Sequence, residues 1–179
     1  MRRQGALRAL CALLLALVAT GASAQDDAAL TLRIWGGGMP PGSEMTIAWT
    51  PGQGLRVQPP AFWRDAAPSE HSLSLAQVAE LQALALAPLL QNLDAQAEMD
   101  ALSASQAEVG PGGTLYYSSD PHWIELTIGP SLAGGVARTI RLRGLDEAVR
   151  RATGGGGLPA LKQLVDRIYL LALQARGVQ

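Results

Sequence analysis

The two histidines of the chain each stand beside an acid, in Glu70-His71 and in Asp120-Pro121-His122. A catalytic zinc usually takes three protein ligands and keeps a fourth position open. Two distant segments would have to converge to supply them, so the pattern itself builds no metal set. Ser118, Ser119, Asp120 and His122 supply the residue types of nucleophilic catalysis. Close neighbours along a chain rarely reach triad geometry, however, and no Gly-x-Ser-x-Gly turn exposes a serine. A small hydrolase built on this chain would use Asp120, His122 or Glu125 as its acid–base groups. Glu44 and Glu125 are the candidate pair for glycoside cleavage, which needs two carboxylates facing each other. Both fall in alternating segments at positions expected to face water. No metal and no cofactor fingerprint emerges.

The run Gly36-Gly37-Gly38-Met39-Pro40-Pro41-Gly42 invites comparison with a phosphate loop. Such loops carry a strand into a helix N-terminus, whose free N–H groups face the anion. Here the next segment alternates like a strand, and no Gly-Lys-Ser/Thr follows. A contact loop fits better: glycine lets backbone approach a partner closely, and Met39 with the prolines offers apolar area at small entropic cost. Trp35, Gly36, Gly37, Gly38 and Met39 are therefore candidate protein-contacting residues. Trp63 also borders a loop, whereas Trp49 and Trp123 are expected in the core or at its edge. Arg138, Arg141, Arg143, Arg150 and Arg151 form a basic stretch that can meet an acidic partner, and Arg138 and Arg141 complete the candidate set. The competing expectation is that these arginines pair with the acidic part of the chain or stay solvated.

The elements that must position these residues are bounded by composition. The chain has 179 residues, 48% of them hydrophobic. Residues 1–24 read as a secretory signal: Arg2, Arg3 and Arg8, then an apolar run from Ala9 to Ala19, then Ala22-Ser23-Ala24 for cleavage. The expected working form is residues 25–179, a single domain exported to the periplasm or beyond the cell. Cys11, the only cysteine, falls inside the apolar run, with Leu10 before it, which does not match a lipid attachment site. The mature chain would then lack thiols, which excludes a disulfide scaffold, a cysteine nucleophile and thiolate metal sites. Without the leader, 11 basic residues face 15 acidic ones. Eight of the basic residues lie after position 130. Nucleic acid is a poor partner for an acidic exported protein, and no later segment has the roughly 18–20 apolar residues of a membrane span.

Leu30 to Trp35 and Met45 to Trp49 alternate with period two, and Leu55-Arg56-Val57 follows a Pro-Gly turn, which predicts an antiparallel three-strand meander. Ser74 and Gln77, flanked by Leu73 and Val78, match a capping box with its hydrophobic staple. The helix they open is expected to stop near Leu86, ahead of Pro88. Residues 92–113 read as a loose loop with one helical turn near Ala95 to Leu102. Trp123 to Ile128 and Val136 to Arg143 predict two further strands, Leu145 to Ala152 a short helix. A last helix from about Pro159 should bury Leu161, Leu164, Val165, Ile168, Leu171 and Ala172. The fold class is α+β: an antiparallel sheet of four to five strands, with two main helices on one face.

Leu32-Arg33-Ile34-Trp35-Gly36-Gly37-Gly38-Met39, a strand, the Leu-rich helix, a hairpin and Leu158-Pro159-Ala160-Leu161-Lys162-Gln163-Leu164 occur in an order that resembles emfourin-type inhibitors of thermolysin-like metalloproteases. It is similar also to small exported bacterial domains of the same plan. The resemblance implies that the loop after the first strand, Gly36 to Met39, contacts a protease. The leader, a third strand and the segment 92–113 set this chain apart. The expectation is a non-enzymatic exported binding module of the protease-inhibitor kind. The alternatives are the small hydrolase and a periplasmic assembly or structural subunit using Arg138 to Arg151.

Overall fold

The computed structural model describes residues 28–64, 67–107, 121–152 and 156–177. The expected leader and cleavage site, together with Ser118, Ser119 and Asp120, lie outside them. Six strands are present: β1 (Leu30–Gly36), β2 (Glu44–Thr50), β3 (Gly54–Gln58), β4 (Ser69–His71), β5 (His122–Ile128) and β6 (Arg138–Arg143). They form one antiparallel sheet in the order β4-β3-β2-β1-β5-β6. The meander β1-β2-β3 is as the alternation predicts. It continues into β4, an element the sequence reading leaves in a polar loop, because three residues are too few to show a period. β5 then returns to the free edge of β1, pairing Leu32 with Leu126 and Trp35 with Trp123.

Period-two alternation divides the sheet into two unlike faces. Leu30, Leu32, Met45, Ile47, Trp49, Leu55, Val57, Ile124, Leu126, Ile128, Ile140 and Leu142 are all buried on the inner face. The outer face carries Thr31, Arg33, Trp35, Glu44, Thr46, Arg56, Trp123, Glu125, Thr127, Thr139, Arg141 and Arg143, none of them buried.

Five helices are described: α1 (Leu75–Ala85), α2 (Pro88–Gln91), α3 (Ala95–Ala107), α4 (Leu145–Arg151) and α5 (Gly157–Ala175). In the expected capping box, Gln77 N donates to Ser74 Oγ and Ser74 N donates to the Gln77 side chain at 2.8 Å. Pro88 takes the first turn of α2, where its missing N–H costs nothing. α5 buries Leu158, Leu161, Leu164, Val165, Ile168, Leu171 and Ala172, each buried Leu or Ile worth about 1.5–3 kcal/mol in transfer free energy. It packs against the other four helices and against β2 and β4. α3 departs from the single helical turn expected over part of residues 92–113. Asp94 Oδ1 accepts from Ala97 N at its start, and Met99 and Leu102 pack on the core. Glu98 Oε1 and Oε2 accept from Gly157 N at 2.9 Å and Leu158 N at 3.0 Å, so α3 caps α5 from 59 residues away. Among the described residues the two main helices expected are joined by the short helix expected over Leu145 to Ala152, by α2 and by a full α3, and the strands number six in place of four or five.

Candidate functional site

The outer face concentrates its aromatic and cationic groups at the end where β1 enters the glycine turn. Trp35 and Trp123 are direct cross-strand partners, with rings stacked at 5° and centroids 6.1 Å apart. Of the two tryptophans expected in the core or at its edge, Trp123 is half-buried on the outer face, while Trp49 is in the core at 2% exposure. The guanidinium of Arg141, from β6, sits 5.1 Å from the Trp35 ring centre and 5.2 Å from that of Trp123. Each such contact is worth about 0.5–1 kcal/mol at an exposed site.

Arg33 approaches Trp35 from the other side at 5.7 Å, but its charge is compensated. It donates to Glu44 at 2.7 Å and to Glu125 at 2.9 Å. The hydrogen bond to Glu44 is the main cause holding this guanidinium above its ordinary pKa; partial burial opposes it, and Glu125 adds to it. Arg141 differs, because no carboxylate among the described residues pairs with it. Its guanidinium is held in place by two rings, with Glu125 as its direct cross-strand partner. Gly42 and Ser43 close one side of a depression of about 360 Å³ over Arg33, Trp35 and Arg141.

Gly36, Gly37 and Gly38 all adopt positive φ, at 76°, 61° and 80°, a run that only glycine takes without strain. A Cβ on Gly37 would lie 2.3 Å from the His122 ring, so the turn is packed against β5. Met39 N donates to Gly36 O, and Met39 turns away from the tryptophan face to line a cleft on the inner side.

Arg138 is placed elsewhere. It lies at the far end of β6, opposite Ile128, and donates to Leu90 O at 2.5 Å, to Gln91 O at 2.6 Å and to Leu93 O. These carbonyls end α2 and begin the turn to α3, where a helix C-terminus lacks internal donors. Arg150 and Arg151 both engage Glu147, and Arg143 donates to Pro121 O. The basic stretch of the sequence is thus distributed over four surroundings; Arg141 lies over the Trp35 and Trp123 rings, and Arg143 is the cross-strand partner of Trp123.

The hydrolase candidates are divided as well. His122 is paired with Gly36 and Glu125 with Arg33; being three apart on one strand, they point to opposite faces. His71 on β4 is separated from β5 by three strands, and its Nε2 is buried without a partner among the described residues. Among these residues no group of three His, Cys, Asp or Glu is assembled, and no helix is long and apolar enough to cross a membrane. No protein-family model matches the chain, and no curated protein matches it significantly. Alternation with Ile124, Leu126 and Ile128 already sends Trp123 to the outer face; what the sequence does not show is its partner. The antiparallel pairing of β1 with β5 brings it beside Trp35.

Proposed function

We propose that the chain is an exported, non-enzymatic module that binds a protein through the Trp35–Trp123–Arg141 face, with the Gly36–Met39 turn at its rim. The observation that carries this reading is a guanidinium held over two stacked indoles, with no direct ion pair among the described residues, on a sheet face that no described helix covers. Trp and Arg are the residue types that most often dominate protein interfaces. A ring-braced cation has less side-chain freedom to lose on binding, and it favours a partner carboxylate ringed by apolar surface. The emfourin-like order of elements makes a thermolysin-like metalloprotease the first partner to test.

Titration of such a protease with the purified chain 25–179 should reduce its activity stoichiometrically. Arg141→Glu and Trp35→Ala should each weaken that effect at least tenfold while leaving the fold intact. Unchanged protease activity at every ratio removes the inhibitor form of the proposal. For binding in general, a photo-crosslinker at position 143 should trap a discrete protein in the exporting cell, and Arg141→Glu should abolish the adduct. Adduct formation indifferent to Arg141→Glu overturns the assignment of the face. Export is tested by sequencing the N-terminus of the protein recovered outside the cytoplasm, which should begin at Gln25.

A further inference from the structure

A second concavity, of about 410 Å³, opens on the inner side of the same sheet end, between β1, β5, α4 and α5. Its size is within the range of about 300–1,000 Å³ typical of small-molecule sites. Ile34, Met45, Ile124 and Val165 form an apolar floor, of which Met45 is 1% and Ile124 6% exposed. Trp63 and Tyr169 stand in the walls, and Asp146, Lys162 and Asp166 at the rim.

The hydrogen-bond capacity of that rim selects a head group. Lys162 Nζ has three protons, matched by Asp146 Oδ1 at 2.9 Å, Asp166 Oδ1 at 2.5 Å and Asp166 Oδ2 at 2.6 Å. It has none left for an anion. Both oxygens of Glu147 are taken by Arg150 and Arg151. The second oxygen of Asp146, on a side chain 74% exposed, remains an open acceptor. Asp146, Glu147 and Asp166 line the cleft with Lys162 and Arg150, and Arg151 also pairs with Glu147, so it is the open Asp146 oxygen, an acceptor with no matching donor, that favours a hydrogen-bond donor of positive charge. We infer that this cleft binds a primary ammonium attached to an apolar body, with the body on the Ile34–Met45–Ile124–Val165 floor and the ammonium donating to Asp146. A free alkylamine and the N-terminus of an apolar peptide share this chemistry.

The test is a ¹H–¹⁵N NMR titration of the chain 25–179 with hexylamine, hexanoate, hexanol and the peptide Leu-Leu-Gly with a free or acetylated N-terminus. Hexylamine or the free peptide should shift the amides of Ile124, Leu145 and Val165 saturably, and hexanoate should bind at least tenfold more weakly. Hexylamine alone identifies a small amine as the ligand source, and the free peptide alone a chain terminus. Asp146→Asn, at an exposed position, should weaken the amine about tenfold, leave hexanol unchanged and strengthen hexanoate by releasing one Lys162 proton. Arg141→Glu should leave all of these affinities as they are, which separates this site from the tryptophan face. Hexanoate binding as tightly as hexylamine, amine affinity insensitive to Asp146→Asn, or no saturable shift with any probe would each overturn the inference.

Discussion

Arg138 and Arg141 occupy the same strand three residues apart, yet their loss should have different consequences. Arg138→Ala removes a guanidinium that donates to three carbonyls around the end of α2. A hydrogen bond to a charged group contributes about 1.5–3 kcal/mol. The three share one half-exposed cation, Leu90 O also accepts from Leu93 N at 3.2 Å, and water can reach the remainder. The total loss is therefore set at about 2–3 kcal/mol, near the value of one strong bond. For a chain of this size that lowers the melting temperature by about 4–12 °C, at about 2–4 °C per kcal/mol. Arg141→Ala loses two exposed cation–π contacts, about 1–2 kcal/mol in total, and should lower it by about 2–8 °C. Circular dichroism melts of the two variants measure this directly. Hydrogen exchange adds a local readout, since the amides of Asn92 and Leu93 should exchange faster only in Arg138→Ala. An Arg138→Ala protein that melts with the wild type, or that exchanges like Arg141→Ala at Asn92 and Leu93, would refute the division of the two arginines into a brace and a contact residue.

Glu98→Ala should cost about 1–2 kcal/mol in urea denaturation by uncapping two N–H groups of α5 and removing a negative charge from its positive end. Gly54→Ala should exceed about 2 kcal/mol, since Gly54 has φ 106° and its Cβ would lie 2.4 Å from His71 O; Gly52→Ala, at φ 78° with open space around it, should cost only about 1–2 kcal/mol. Burial lowers the pKa of Lys162, but hydrogen bonds to Asp166 and Asp146 outweigh it and leave the pKa raised above 10.5. The stabilisation is thus complete below that unfolded value and lost as pH rises through the higher folded one. The stability difference between wild type and Lys162→Met, within about 1 kcal/mol for a surface network, should shrink as pH rises above 10.5; a constant difference would exclude this linkage.

Local patterns made much of the scaffold legible. The alternation of β1 and β2, the Ser74 capping box, the stop before Pro88 and the inward face of α5 all depend on residues within a turn or two of one another. α3 was not legible as a full helix, because Ala95–Ala107 has little apolar periodicity. What orders it comes from elsewhere in the chain: Glu98 meets the α5 N-terminus, and Met99 and Leu102 meet the core. β4 was missed for a similar reason, since three residues become a strand only when β3 offers them an edge.

Trp35, Arg141 and the glycine turn stood out in the sequence by residue type, and that type is an intrinsic property. Their grouping is not. Trp35 and Trp123 are 88 positions apart, and they stack only because β5 returns antiparallel to β1 in a register that puts them opposite each other. A one-residue slip would send Trp123 to the other face. Alternation along β6 already puts Arg138 and Arg141 on opposite faces, but only the topology carried Arg138 to the end of α2 and Arg141 over the indoles. The sequence by itself determined which groups are present and which segments alternate or coil. The tertiary structure decided which of those groups share a surface and which cations end in ion pairs, on carbonyls or over rings, because cross-strand register and helix docking depend on contacts between residues far apart in the chain.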